Sequence, residues 1–596
     1  MCGFTGSISF EDINEVKLKN SNEHSLCRGP DNTSNIKGEG EIDYNLWFNR
    51  LAIVDLSSKA NQPMMSDDSN LILMFNGEIY NSGILRDKIS EYKYNFKTSH
   101  SDTETLFAGL AVYGIDFINE IDGQFSFFYL DKIKRKIYFA RDRVGQKPMY
   151  ISSNEKNILF ASNLKSILEL KENVKIDKNS INQYLAYGVN FAPRTIFENI
   201  NKVPHASYIE IDYKNGKFTN RNVEYWDPSF FTDNKEFDQE KFENLFSRSV
   251  SKRMIADVEI ANFLSGGMDS TSIVKNLSDL DYDVNTFSVI IGNQKYNEKK
   301  YINKVVDKYK TNHQEIIVDE NISDIVIKEA LESLDEPYGD PSVVPSYYLS
   351  NLISTKYKVA ISGDGGDELL GGYYRLKNHL KKKTYLSKLF SNLYEIYPPF
   401  LGTGSNLKSL NEDIYEAYTS FLEDEKFIKH LGIGKLSNNL RIKANKKDSI
   451  YKTLLSMEYK YYLSDQMMFK VDRTSMSNSI EVRSPFVDHK MIEYIFSHSS
   501  EYFDLKVQKF PLRQYLSQDF SPDFLDRPKQ GFVFDYKSWI YKNLTSVKKE
   551  IESSDLDKYI NIKALNKLNF FRTRINALRI WRVYVLACYL KETRDL

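Results

Sequence analysis

Glu259-Ile260-Ala261-Asn262-Phe263-Leu264-Ser265-Gly266-Gly267-Met268-Asp269-Ser270-Thr271 is the run whose reading decides the fold of this chain. Its apolar start predicts a strand over 259–264, the glycine pair predicts a tight turn, and a helical pattern opens at Thr271. The order recurs downstream. A strand over 286–291 precedes a helix over 299–309, and a strand over 358–361 enters Ser362-Gly363-Asp364-Gly365-Gly366-Asp367-Glu368. Strand, glycine turn and helix in repetition predict a parallel sheet wrapped by helices, an α/β unit.

The two glycine loops carry chemistry. Small residues at Ser265, Gly266 and Gly267 let the backbone approach phosphates, and N–H groups at a helix start cradle an anion. No Gly-Lys-Ser/Thr follows, so γ-phosphate transfer is not the natural reading. Asp269 and Asp367, one from each loop, are candidate ligands for a Mg²⁺ ion that neutralises a triphosphate.

Upstream the pattern changes. To about residue 212 the chain reads as mostly β, with short aromatic and β-branched runs at 71–75, 125–130 and 136–140. Residues 212–236 are polar and contain Asn215-Gly216 and Trp226-Asp227-Pro228, as expected of a crossing between domains. Downstream the chain is helix-rich: Tyr451, Leu455, Tyr459 and Tyr462 mark one helical face. With 40 Tyr and 37 Phe, such stripes are expected as core. Lys381 to Lys383 reads as solvated surface.

Composition excludes several classes. The 596 residues are 41% hydrophobic, and 80 Lys+Arg against 81 Asp+Glu leave a net charge of -1. No global positive excess exists to hold nucleic acid or an anionic membrane. No apolar run suggests a span, and the start suggests no secretion signal. Three cysteines exclude a disulfide-dense scaffold and a four-cysteine zinc site. A cytoplasmic protein is expected.

Cys2 follows the initiator Met, whose removal would put a thiol and a free α-amine on one residue, the arrangement of terminal-nucleophile hydrolases. Asn76 and Gly77, in Asn76-Gly77-Glu78, offer a side-chain amide and a backbone N–H to one oxyanion, or else form a hairpin turn. Arg50 suits a substrate carboxylate. Asp102 suits a substrate ammonium, or caps the helix that follows. Together they describe a site for an amino acid with a side-chain amide.

Cys2-Gly3, Arg28-Gly29-Pro30-Asp31, Arg50-Leu51, Asn76-Gly77-Glu78-Ile79-Tyr80-Asn81 and Arg141-Asp142-Arg143 resemble the glutaminase domain of glutamine-hydrolysing asparagine synthetases. The loops at 265–270 and 362–368 resemble the synthetase domain of the same family. The resemblance implies an amino-terminal αββα sandwich over 1–212, a linker over 213–236 and an ATP-pyrophosphatase domain over 237–596. It implies that Cys2 attacks glutamine, that Asn76 and Gly77 form the oxyanion hole, and that Arg50, Leu51, Ala52, Ile53, Val54, Glu78 and Asp102 hold glutamine. It further implies ATP at Phe263, Ser265, Gly266, Gly267, Asp269, Ser270, Val289, Ser362 and Gly363, with Lys529 meeting the departing pyrophosphate. Asp364 would act on the acceptor or on proton traffic. ATP and Mg²⁺ are the implied cofactors, aspartate is the favoured acceptor, and a homodimer is what the family suggests. An apolar passage for ammonia between the two sites is expected.

Three departures stand out: Cys27 replaces a common His, Asp364 replaces the Glu of some bacterial relatives, and Asp335-Glu336-Pro337-Tyr338-Gly339-Asp340-Pro341-Ser342 differs from those enzymes around the expected acceptor pocket. The alternatives are therefore a non-aspartate carboxylate acceptor, such as a cell-surface sugar or peptide, and a ligase resembling β-lactam synthetase. An intact Cys2 speaks against the second.

Overall fold

The computed structural model describes residues 2–594 apart from 12, 232–235, 292–297, 319–322, 374, 377–390, 412, 435, 437–449, 499–507 and 527–533. Lys381 to Lys383, and Lys529, lie outside the described residues.

The amino-terminal unit is built from two six-stranded antiparallel sheets. In spatial order the first holds Asn201–Lys202, Tyr150–Ser153, Asn157–Ala161, Cys2–Ser9, Asp43–Arg50 and Asn32–Gly38. The second holds Lys217–Glu224, Ser207–Lys214, Lys136–Arg141, Gly123–Asp131, Leu71–Ile79 and Met64–Met65. Side chains alternate along each strand. Ile72 and Met74 join Phe4, Phe48 and Phe160 in the core that includes Cys2, whereas Leu73 and Phe75 join Leu106 and Phe117 in a second core. Helix Asp102–Tyr113 packs on the second sheet, and helices Glu15–Glu23 and Leu164–Leu170 pack on the first. The layers run helix, sheet, sheet, helix, the expected sandwich.

Two local readings change. Strand Leu71–Ile79 runs through Asn76 and Gly77, so no hairpin turn forms there. Gly77 pairs with Phe125, and a Cβ on it would come within 2.1 Å of the Gln124 carbonyl oxygen, so close packing rather than turning demands the glycine. The polar stretch after 212 begins as the hairpin Ser207–Lys214 with Lys217–Glu224, not as a crossing. Its second strand is the edge of its sheet and mostly exposed, which is why it reads as polar.

The second unit centres on a five-stranded sheet ordered Asn312–Val318, Asn285–Ile291, Ile260–Phe263, Val359–Ile361 and Glu481–Arg483, every pair parallel. Val359 and Ile361 face one core and Ala360 the other, so helices cover both faces. The strand order reverses between Ile260–Phe263 and Val359–Ile361. Their carboxyl ends open a crevice there, where such sheets bind ligands.

The stripe at 451–462 is split. Helix Ile450–Met457 continues as a π-helix, Glu458–Met467, then as helix Met468–Met476. The wider turns swing Tyr462 out of the core holding Tyr451, Leu455 and Tyr459 and toward a different one. That other core joins the units: Ile167, Ile181, Tyr184 and Leu185 share it with Trp581, Leu586 and Leu590 of the closing helix Arg574–Glu592. No helix among the described residues is long and apolar enough to cross a membrane.

Candidate active sites

Cys2 opens the strand beside Asp43–Arg50 and pairs with Arg50. Alternation carries Asn76 to the same face as Ile72 and Met74, and there its Oδ1 accepts from the Cys2 backbone N at 2.9 Å. The Asn76 Nδ2 is buried with no hydrogen-bond partner among the described residues. A buried amide donor left open costs about 1–3 kcal/mol. Such an amide beside a nucleophile suits an oxyanion. Cys2, Arg50, Leu51, Ile53, Val54, Gly77, Glu78 and Asp102 line one pocket with Gln62, Phe75 and Thr103, which sequence reasoning missed. Two of the predicted residues lie outside that lining: Ala52, whose N–H donates to Asp31, and Asn76, which is wholly buried beside it.

Arg50 is more occupied than expected. Its Nη1 donates to Ser57 O and Asn61 Oδ1 at 2.8 Å each, and its Nη2 donates to Asp55 O. It thereby holds the loop after its own strand. Asp102 does not cap its helix; Ser101 does, and the Asp102 Oδ2 accepts from Ile79 N at 3.0 Å. Burial pushes the Asp102 carboxyl up to about 6. A carboxylate that recognises an ammonium must be ionised, so its contribution is present above that value and lost as pH falls through it. Should Asp102 hold the glutamine ammonium, the KM for glutamine would rise about tenfold per pH unit below pH 6. A flat KM from pH 7 to 5 would remove Asp102 from glutamine recognition. Burial likewise pushes the Cys2 thiol up, so the thiol needs a base.

In the second unit, helix Met268–Asp279 starts on Gly267, and Ser270 Oγ accepts from Ser265 N at 3.2 Å. The facing loop touches this turn: a Cβ on Gly363 would stand 2.9 Å from the Asp269 Cβ, and one on Gly366 would stand 2.6 Å from the Asp269 Oδ1. Only glycines let the two loops meet. Phe263 pairs with Phe287, which puts Val289 beyond the carboxyl end of the first strand, half-buried beside the crevice. Ser362 Oγ donates to Asp364 Oδ2 at 2.8 Å.

The structure brings Asp269 and Asp367 together around a lysine that sequence reasoning missed. The buried Lys509 ammonium donates to Asp269 Oδ2 and sits 2.7 Å from Asp367 Oδ1. A cation is thus already accommodated between the two carboxylates, and an all-oxygen donor set suits Mg²⁺. Replacing Lys509 by Met should leave two half-buried acids without the cation they share and so destabilise the fold. Thermal melting should show that Mg²⁺ restores more stability to Lys509→Met than it adds to the parent; equal Mg²⁺ effects would dissociate the acids from metal binding.

The stretch at 335–342 divides. Asp335 pairs with Arg473 at 2.9 Å, and Glu336 accepts from Tyr150 OH at 2.8 Å and pairs with Lys202 at 3.1 Å. Both acids thus serve the junction between units. Only the later part, Tyr338 among it, lies near Asp364 and Glu368.

Comparison with known proteins bears on both sites. Residues 241–583 match the family model described as asparagine synthase, and residues 1–226 match that of a glutamine amidotransferase domain. The chain belongs to the asparagine synthase family. Asparagine synthetase (glutamine-hydrolyzing) 1 of Bacillus subtilis is 28% identical over 628 residues, covering 98% of this chain and 96% of that protein. Asparagine synthetase (glutamine-hydrolyzing) 3 of the same organism is 26% identical over 613 residues, covering 95% and 93%. A relative from Methanocaldococcus jannaschii is 32% identical over 536 residues, covering 80% of this chain and 98% of its own.

Between the two sites of this family member lies a small cavity of about 10 Å³, roughly one water-sized molecule. Its wall is mixed rather than apolar: Met468, Val471 and Val482 alternate with Gln146, Lys147, Asp472 and Ser484. Asp472 takes both Arg28 Nη groups at 2.9 and 3.0 Å, and Arg28 Nε donates to Cys2 O at 3.2 Å. On the other side Ser484 Oγ donates to Asp364 O. One wall therefore reaches each site.

Proposed function

We propose that this chain amidates a carboxylate with glutamine nitrogen at the expense of ATP, aspartate to asparagine being the favoured case. The observation that carries it is the open Asn76 amide beside Cys2 on a chain that also pairs two glycine loops at a sheet's switch point. The glutaminase and synthetase units meet between Glu224 and Gln239.

With Met1 removed, the Cys2 amine keeps its bond to Asn76 Oδ1 and takes the thiol proton. The thiolate attacks the glutamine carboxamide, and the Asn76 Nδ2 and Gly77 N–H stabilise the oxyanion. Ammonia leaves and water releases glutamate from the thioester. Ammonia then passes to the second site, and the small cavity at Met468 and Val482 lies between the two. At the second site the acceptor carboxylate attacks the α-phosphorus of ATP, with Asp364 acting on the acceptor or on proton traffic; pyrophosphate departs, Lys529 being the residue that the family resemblance assigns to it, and ammonia displaces AMP. Mg²⁺, held by Asp269 and Asp367, would supply neutralisation of the triphosphate charge.

Asn76→Ala should lower kcat for glutamine hydrolysis about 10²–10³-fold, as loss of one oxyanion donor does elsewhere. An effect confined to KM would assign Asn76 to binding alone. The overall reading is tested by a screen of carboxylates for glutamine-dependent release of AMP and pyrophosphate, with aspartate as reference. Pyrophosphate with another carboxylate but not with aspartate changes the acceptor and keeps the mechanism. No pyrophosphate with any carboxylate rejects the mechanism.

A further inference from the structure

We propose that Arg483 is a positioning residue through which the state of the nucleotide loop reaches the glutamine site. The inference rests on the two-site reading above and adds a residue to it. Arg483 is completely buried at the end of strand Glu481–Arg483. Its main chain belongs to the nucleotide side: Ser362 N donates to Arg483 O at 2.9 Å, and the next residue, Ser484, donates from Oγ to Asp364 O. Its side chain belongs to the other unit. Arg483 Nη2 donates to Glu78 Oε2 at 3.0 Å, and Glu78 directly follows Gly77.

The guanidinium has little slack between these ends. Nη1 donates to Arg253 O at 2.9 Å and to Ile255 O at 2.6 Å, and Nε donates to Glu481 Oε1 at 2.5 Å. A planar fork held at this many points transmits displacement rather than absorbing it. The receiving strand is stiff as well, because Gly77 packs against the Gln124 carbonyl and Ile79 N is held by Asp102. A backbone shift in Ser362, Gly363 and Asp364 on nucleotide binding therefore has a short covalent and hydrogen-bonded route to the strand that carries Asn76 and Gly77. The charge arrangement fits a positioning role. Burial and the neighbouring Asp102 push the Glu78 carboxyl up, whereas positive charge including Arg483 overrides burial and holds Glu481 at about 2. Glu481 thus neutralises the arginine, and Glu78 is left to receive a directed hydrogen bond.

The test measures glutamine hydrolysis, and alkylation of Cys2 by an electrophilic glutamine analogue, with and without Mg·ATP and aspartate. The parent should respond to nucleotide by about fivefold or more, the lower end of coupling between sites. Arg483→Lys keeps the charge but loses the fork, and its response should collapse toward one while ammonia-dependent pyrophosphate release persists. Glu78→Leu, which removes the acceptor, should reduce the same ratio, and combining the two should add little. If Arg483→Lys does not fold, the ratio in Glu78→Leu decides. A parent that hydrolyses glutamine and releases pyrophosphate but whose glutamine site ignores nucleotide overturns the proposal alone, as does an Arg483→Lys enzyme with the full response. A parent lacking either activity overturns the two-site reading, and the proposal with it.

Discussion

Cys2→Ala is expected to lower glutamine hydrolysis by about four to six orders of magnitude, the scale on which loss of a nucleophile is felt. Amidation supplied with free ammonia should continue, because the hydrogen-bonded route from Cys2 to the second unit runs through its carbonyl, Arg28 and Asp472 and not through its thiol. The substitution itself is small. It removes one sulfur and leaves the backbone N donating to Asn76, so the strand and its pairing with Arg50 should stay intact. Glutamate release by the purified variant at a rate near the parent's would place the nucleophile elsewhere.

The second large effect is the converse. Asp367→Asn should cost pyrophosphate release about 10³-fold, since charge neutralisation at a phosphoryl centre is worth several kcal/mol and each 1.4 kcal/mol is tenfold. Glutamine hydrolysis measured without nucleotide should survive. The variant also frees Lys509 from one of its two acids. Excess Mg²⁺ should restore only the part of the loss that comes from weaker metal binding, because the missing ligand charge is not returned. Full recovery at high Mg²⁺ would reduce Asp367 to a contributor to metal affinity.

These expectations were legible in the sequence to different degrees. The three strands of the second unit that end near its sites were readable to within a residue, since apolar runs ending in glycine have few other interpretations. The helix over 299–309 was readable in full. Asn76 was legible as chemistry but not as geometry: an Asn-Gly pair looks like a turn until its strand is seen to continue to Ile79. Lys509 and Arg483 were not legible at all. Each acts through residues more than a hundred positions away, and a lone Lys or Arg in a polar context carries no local signal of such a partner. The pairings of Asp335 and Glu336 with Arg473 and Lys202 were hidden for the same reason, and so was the polar part of the cavity wall.

The core shared by Tyr184, Leu185, Trp581 and Leu590 has a consequence for inheritance. Tyr184 also donates its hydroxyl to Arg582 O at 2.9 Å, so the seam is both apolar and pinned. Each large side chain withdrawn from water there contributes about 1.5–3 kcal/mol that neither half can recover alone. Halves expressed from separate genes would each present an adhesive face, and a foreign glutaminase grafted in front of residue 239 would meet a surface it was never shaped to cover. The two catalytic halves must therefore be transmitted, exchanged and lost as one piece, and a change in the final helix is also a change in the unit that handles glutamine.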